Sequence, residues 1–394
     1  MTPAARTQAA IELLDQIIAA ARDQGAAADT LIARYFAARR YAGSKDRRAV
    51  RALVYDAIRL LGECPESGRA AMLALARVRP EIAEHFGHGE YGPAAIAADE
   101  PVAEPGIAPQ WLVDALKASA IGEAEQAALL DRAPLDIRVN PLRATLDTVS
   151  GTLNAEPIGA PPLGVRLPAD SRLEHHPLFE AGAFEVQDAG SQIVTLATGA
   201  APGMSVVDLC AGGGGKTLAM AAMMADRGQI LATDTDRARL SRLPARAERA
   251  GVTIAETRLL DPGLESEALT DIGQSADVVL VDAPCSGTGT WRRNPEARWR
   301  LTPQRLRRLV QIQARLLDIG AALVRPGGAL VHIVCSLLDD EGAAQIDAFL
   351  DRHPDWRAEA LALPAGSVHA KGMRLTPASD GTDGFFVARL VRAC

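Results

Sequence analysis

Apolar residues recur at helical spacing through the first part of the chain. Val50, Leu53, Val54, Ala57, Ile58 and Leu61 fall on one stripe of a helix. Leu13, Leu14, Ile17 and Ile18 mark a second such stripe, and Ala-rich segments continue to about His85 with few β-branched runs. The composition then turns to Gly, Pro, Ala and acids, which predicts a linker over 89–107. A helix over Trp111–Ser119 follows, then a short strand over Leu135–Val139 bracketed by Pro134 and Pro141. Five prolines within 157–178 predict loops with short strands there. From about residue 184 short apolar runs alternate with helical stretches. Ser205–Leu209, Ile230–Ala232, Val252–Ile254, Val278–Val281 and Ala329–Val334 are the predicted strands, and Thr217–Met224, Arg237–Ala250 and Pro303–Leu323 the predicted helices. This alternation predicts an α/β domain with a mostly parallel, doubly wound sheet.

The chain has 394 residues, enough for two or three domains. No apolar run reaches the length of a bilayer-spanning helix and no apolar export segment follows the first basic residues, so a cytoplasmic protein with no membrane partner is expected. Five cysteines, Cys64, Cys210, Cys285, Cys335 and Cys394, are odd in number, far apart and never spaced CxxC. That pattern speaks against a disulfide framework or a zinc site, and no metal is expected. The net charge of −7 argues mildly against a nucleic-acid partner, but the basic residues are clustered. Arg34–Arg51 holds seven basic residues and one acid, and so does Trp291–Arg308. Clusters of this kind neutralise phosphates locally whatever the total charge.

The segment VVDLCAGGGGKT, Val206–Thr217, reads as a strand, a glycine-rich turn and a helix start. Such a turn lets backbone approach a ligand closely, and helix N-terminal amides favour negative groups. A P-loop needs a glycine where Cys210 stands, and the compact run Gly212–Gly215 fits the dinucleotide fingerprint poorly. A strand ending in Asp208 and followed by this loop fits an S-adenosylmethionine site better. There Cys210, Ala211, Gly212, Gly213, Gly214, Gly215 and Lys216 would wrap the methionine end of the cofactor. Asp234, at the end of the next strand, would hold the ribose hydroxyls, and Asp261, after the third strand, would accept from the adenine amino group.

DVVLVDAPCSGTG, Asp277–Gly289, puts Asp282 and Cys285 just beyond a buried strand, and IVCS puts Cys335 at the end of the next strand, fifty residues on. Carboxyl ends of strands form the ligand crevice of an open α/β sheet, so both thiols are expected to face the cofactor loop. Methylation of cytosine at carbon 5 calls for such thiols. Carbon 5 is too weak a nucleophile unaided, and a thiolate added to carbon 6 pushes electron density onto it. A free thiol, with a pKa of about 8.5, is mostly protonated at neutral pH, so a cationic cofactor and a nearby lysine would favour the thiolate. Asp282 would hydrogen-bond the ring nitrogen and amino group of the base, and Lys216 would reach the same base. Placement alone does not rank the two cysteines.

These motifs, taken in order, resemble the RsmB-type (Sun or Fmu) RNA cytosine-5 methyltransferases. FEVQDAGSQ (Phe184–Gln192) looks like the family's entry motif, DLCAGGGGKT like its D-x-C-A-A-P-G-G-K-T loop, and ATDTDRARL, with Asp234 and Arg239, like its second-strand motif. DAPCSGTG followed by RRNP closely matches its fourth motif, VCS resembles its T-C-S, and DGFFVARL (Asp383–Leu390) its closing strand. The resemblance implies a Rossmann-like class I methyltransferase domain over 181–394, with S-adenosylmethionine held by the glycine loop, Asp234, Arg239, Asp261 and Asp282. It implies that Cys335 is the nucleophile, that Cys285 aids release of the product, and that Lys216 and Asp282 hold the base. Gly212 and Gly213 replace the family's usual Ala-Pro, which should loosen the loop, and Val334 replaces Thr, removing a hydroxyl expected near the base.

The resemblance also reaches upstream. GSKDRRAVRALVYDAIR (Gly43–Arg59) looks like the NusB-like helical domain of the bacterial members, implying an all-α RNA-binding domain over 1–88. APLDIRVNPL (Ala133–Leu142) looks like the preceding small α+β RNA-binding subdomain, over 108–180. Together these imply a monomer acting on RNA, with 16S ribosomal RNA as the substrate. A transfer-RNA substrate, or an RNA-binding ribosome-assembly factor without turnover, are the competing readings. Recognition of single-stranded RNA relies on splayed bases and aromatic stacking. The stretch WRRNPEARWRLTPQRLRR is therefore expected to form a phosphate-and-stacking wall through Trp291, Trp299 and the arginines between them, against the alternative of core tryptophans. Arg39, Arg40, Lys45, Arg47 and Arg48 are candidates for further RNA contact.

Overall fold

The computed structural model describes residues 1–23 and 25–394. The chain divides into two compact units, one of residues 1–131 with 290–302, the other of 132–289 with 303–394. The first unit is helical: α1 Pro3–Arg22, α2 Ala28–Ala37, α3 Ser44–Leu60, α4 Gly68–Val78, α5 Pro80–Ala83, α6 Gln110–Ala118 and α7 Glu123–Ala128. The stripe predicted for α3 is its buried face. Val50, Val54, Ala57, Ile58 and Leu61 are all inaccessible and pack on Leu13, Leu14 and Ile17 of α1. Residues 89–107 form no helix or strand but run against the helices. Ala103 donates to the Ala70 carbonyl (3.2 Å), Gly106 to that of Leu60 (2.9 Å), and Glu100 pairs with Arg69.

The segment 290–302 completes this unit, and here an expectation is overturned. Trp291 and Trp299 are buried at 0% and 7% exposure, and Trp299 joins the helical core, so neither is a stacking wall. Arg298, also inaccessible, donates to the carbonyls of Ile58 (2.6 Å) and Leu61 (2.8 Å) at the end of α3, where backbone carbonyls run out of helical donors. Arg300 donates to the Gly25 and Ala26 carbonyls (2.7 Å each), between α1 and α2. Glu296 accepts from the Ala28 N–H (2.9 Å) at the start of α2, where the helix dipole favours an anion. Burial pulls the Arg298 guanidinium down to about 9, so it keeps its charge at neutral pH. Arg298→Ala removes two buried hydrogen bonds from the end of α3 and opens a cavity. It is expected to cost about 3–5 kcal/mol of stability, against under about 0.5 kcal/mol for Arg40→Ala on the exposed surface. Thermal unfolding of both variants checks this, and equal midpoints would remove the segment's structural role.

In the second unit, β1 Leu135–Val139, β2 Gly164–Leu167 and β3 Phe184–Val186 form an antiparallel sheet in the order β2-β1-β3. With α8 Leu146–Leu153 and α9 Pro177–Glu180 it encloses Ile137, Val139, Val149, Val165 and Phe184. Then follow α10 Ala189–Leu196, β4 Ser205–Asp208, α11 Gly215–Met223, β5 Gln229–Asp234, α12 Arg237–Leu240, α13 Leu243–Ala250, β6 Ala255–Leu259, α14 Glu265–Ala268 and β7 Ala276–Asp282. The chain ends with α15 Pro303–Leu323, β8 Val324–Val334, α16 Ala343–Arg352, β9 Trp356–Glu359, β10 Ser367–His369, β11 Gly372–Leu375, α17 Pro377–Asp380 and β12 Phe385–Arg392.

The large sheet runs β10-β11-β12-β8-β7-β4-β5-β6, with β9 against β12. Strands β6, β5, β4, β7 and β8 are mutually parallel and the remainder antiparallel, the α/β architecture expected from the alternation. Two local expectations change. The third parallel strand is Ala255–Leu259 rather than Val252–Ile254. As the sheet edge it carries exposed polar residues, while Val252 packs beneath the end of α13. The predicted helix Arg237–Ala250 is two helices, the second starting at Leu243 with Pro244 in its first turn. Among the described residues no helix is long and apolar enough to cross a membrane.

Candidate active site

From β4 the chain moves outward to β5 and β6, then returns to the other side of β4 as β7 and β8. A crevice opens at the carboxyl ends where the order reverses, and this is where ligands bind in such sheets. Asp208 and Asp282 end the two strands that flank the reversal. The glycine loop spans from β4 to α11. Gly212 N–H donates to Asp234 Oδ2 (2.7 Å), Ala211 N–H to the Thr233 carbonyl (2.8 Å), and Arg246 to the Gly213 carbonyl. Those tethers join the loop backbone to the end of β5 and to α13. Gly212 has φ +56°, and a Cβ there would lie 2.6 Å from the Arg239 guanidinium. The Arg239 side chain thus flanks the loop, while the Arg239 backbone N–H donates to Asp236 Oδ1 (3.0 Å), the N-cap of α12. Asp234 stands at the end of β5 with its other oxygen on the Asp236 N–H (2.7 Å). Asp261 is exposed, two residues past β6.

Asp208 is inaccessible. Its Oδ2 accepts from Thr217 Oγ1 (2.6 Å), and its Oδ1 has no hydrogen-bond partner among the described residues. Burial pushes its carboxyl up to about 7, against the Thr217 hydrogen bond. An acceptor left unsatisfied beneath the loop is an electron-rich floor for a cationic or donor-bearing ligand. Cys210, beside it, is held well above its ordinary value by burial and by the surrounding carboxylates, which suits packing rather than nucleophilic work.

Lys216, in the first turn of α11, is nearly buried and reaches Asp282 Oδ2 at 2.7 Å. Burial works against its charge, but the Asp282 carboxylate outweighs that and holds the ammonium above its ordinary value. The Phe385 ring lies beneath it, 5.6 Å from Nζ to centroid. Beyond Asp282, Cys285 Sγ and Cys335 Sγ approach to 3.3 Å. The fifty-residue separation is closed by pairing of β7 with β8, in which Asp282 lies opposite Ile333. The hydrogen bond to Cys335 and burial together push the Cys285 thiol well up. Val334 is buried within the core on one face of β8, while Cys335 packs against the cluster on the other. Alternation along the strand therefore points position 334 to the face opposite Cys335, into the cluster against which Cys285 packs.

Several residues of this site carry no local sequence signal. Ser286 Oγ and Thr288 Oγ1 each meet Ser336 Oγ at 3.1 Å, joining the turns that carry the two cysteines. Gly289 N–H donates to the Cys335 carbonyl (3.0 Å), and a Cβ on Gly289 would strike the Gly384 carbonyl at 2.0 Å, so only glycine closes this turn. Glu341 and Gln313 lie beneath the same turns, fully buried.

Comparison with known proteins gives this crevice a family. The model describing 16S rRNA methyltransferase RsmB/F matches residues 196–391. The probable ribosomal RNA small subunit methyltransferase B of Synechocystis sp. is 36% identical over 303 residues, which span 72% of this chain and 67% of that protein. Ribosomal RNA small subunit methyltransferase B of Xylella fastidiosa is 35% identical over 294 residues, 72% of this chain and 68% of its own. The crystal structure of PH0851 superposes over 99% of both chains with a TM-score of 0.78 at 23% identity, which shows a shared fold. Sequence relationship over two thirds of those relatives, with the family match over the sheet that carries the thiol pair, decides the matter: this chain belongs to the 16S rRNA methyltransferase RsmB/F family.

Proposed function

We propose that this protein transfers a methyl group from S-adenosylmethionine to carbon 5 of a cytosine in RNA, with 16S ribosomal RNA as substrate, through a covalent adduct on Cys335. The observation that carries this reading is the meeting of two thiols, 3.3 Å apart, beside the Lys216–Asp282 pair. The donor's sulfonium supplies an electrophilic methyl group and a positive charge. The residues present fit it: a backbone loop from Cys210 to Lys216, the unpartnered Asp208 oxygen beneath, Asp234 for the ribose hydroxyls, Arg239 alongside and Asp261 for the adenine amino group.

Cys335 Sγ bonds to carbon 6 of the base, and the displaced electron pair makes carbon 5 nucleophilic. Asp282 accepts from the exocyclic amino group while the Lys216 ammonium offsets the charge that builds on the ring. Carbon 5 takes the methyl group, with the donor leaving as a neutral thioether, and then passes its proton to solvent water. That C–H electron pair re-forms the carbon 5–carbon 6 double bond as the carbon–sulfur bond breaks with its pair returning to Cys335. Cys285, held as a neutral thiol, is the S–H donor that meets that sulfur as it leaves. The helical unit, with exposed Arg34, Arg40, Lys45, Arg47 and Arg48, acts in this reading as the NusB-like RNA-binding domain, and the small sheet around β1 as a second RNA-binding element.

Incubation with methyl-labelled donor and under-modified 16S rRNA tests the proposal, with bisulfite sequencing to locate the product. One protected cytosine in 16S rRNA is the expected result. Label confined to transfer RNA would move the substrate, and RNA binding without any transfer would leave an assembly factor.

A further inference from the structure

Glu341 lies between β8 and α16 and is completely inaccessible, yet among the described residues no Lys or Arg lies within ion-pair distance of its carboxylate. Burying a carboxylate without a counter-ion is costly, and it is tolerated only when hydrogen bonds replace its water. Here they do. Oε1 accepts from the Ser286 N–H (2.8 Å) and from Gln313 Nε2 (2.9 Å), and Oε2 accepts from Ser286 Oγ. Gln313, on α15, also donates to the Pro284 carbonyl (3.0 Å). The residues on both sides of Cys285 are therefore held by one buried Glu–Gln pair. The Glu341 backbone is fixed in turn, since its carbonyl meets His332 Nε2 at 2.9 Å inside the sheet.

Cys335 is secured differently. It continues strand β8, its carbonyl accepts from Gly289, and the next residues bond to Thr288 Oγ1 (2.9 Å) and Ser336 Oγ (3.2 Å). Loss of the Glu341 carboxylate thus releases the Cys285 turn and leaves Cys335 on its strand. The carboxylate's charge also opposes ionisation of Cys285, adding to its hydrogen bond with Cys335 and its burial.

We infer that Glu341, acting with Gln313, is a positioning residue for Cys285, and that it serves release of the methylated base rather than attack by Cys335. This deepens the covalent reading above and rests on it.

The test uses the full chain, methyl-labelled S-adenosylmethionine and transcribed 16S rRNA, with Cys285→Ala run in parallel. For Glu341→Ala, steady-state turnover is expected to fall by about tenfold or more while single-turnover transfer stays within about threefold of wild type. A denaturation-resistant protein–RNA band is expected, as for Cys285→Ala. Glu341→Gln keeps an acceptor for the Ser286 N–H and is expected to restore most of the turnover and remove the band. Wild-type turnover without a band in Glu341→Ala overturns the proposal, and so does loss of the first turnover in a folded variant. Should Glu341→Ala fail to fold, Ser286→Ala removes the hydroxyl's contacts with Glu341 and Ser336 while the Ser286 N–H keeps its bond to Glu341. It is expected to give a weaker band with slower turnover, and absence of both overturns the proposal. If Cys285→Ala itself forms no band, the covalent reading fails instead, so the two failures are distinguishable.

Discussion

Cys335→Ala is expected to abolish methyl transfer, with a loss of at least about 10⁴-fold in rate and no covalent RNA complex under any condition. The reason is chemical rather than structural. Without a sulfur bonded to carbon 6, carbon 5 of cytosine has no electron density to offer, and nothing else in the crevice can supply it. Lys216, Asp282 and Cys285 remain, but they hold and assist a base that is no longer activated. Replacing the half-buried thiol with a methyl group at a strand end leaves the packing intact, so unfolding should not confound the result. RNA carrying 5-fluorocytosine sharpens the test, since carbon 5 then has no proton to lose and the adduct cannot resolve. Wild type is expected to be trapped on it and Cys335→Ala to stay free. Trapping of Cys335→Ala would reverse the roles of the two cysteines.

Cys285→Ala is expected to do the opposite. Attack and methylation proceed on Cys335, but departure of the sulfur loses its hydrogen-bond donor 3.3 Å away. The adduct should then accumulate on ordinary RNA, visible as a retarded band on a denaturing gel and carrying labelled methyl groups. Turnover is expected to fall by about 10²-fold or more, in the range of lost acid–base assistance. The direction follows from the geometry. The hydrogen bond with the neighbouring sulfur, burial and the Glu341 charge all push the Cys285 thiol up, which suits it as donor to a leaving sulfur. A Cys285→Ala protein that turns over normally, with no band, would refute this division of labour.

Much of the fold was legible because its signals are local. The stripe from Val50 to Leu61 needs only helical periodicity, and the apolar runs of β4, β7 and β8 need only burial on both faces. The edge strand β6 escaped because an edge carries polar residues, leaving the nearby Val252–Ile254 as the more strand-like run. The candidate site was legible where a motif brings its own backbone, as in the loop from Cys210 to Lys216. Glu341 and Gln313 were not, because each reaches the Cys285 turn from a distant element and nothing in its neighbours marks it.

The sequence by itself determined the alternation of strands and helices, the acids at strand ends and the presence of two thiols at successive strand ends, since each depends on residues adjacent in the chain. Tertiary structure decided what depends on direction and on closure over long separations. It turned Trp291 and Trp299 into core, sent Val334 into the sheet's interior, left one Asp208 oxygen unpaired and brought two sulfurs within 3.3 Å. Periodicity says that a side chain is buried or exposed, but only the packing of distant segments fixes what it is buried against.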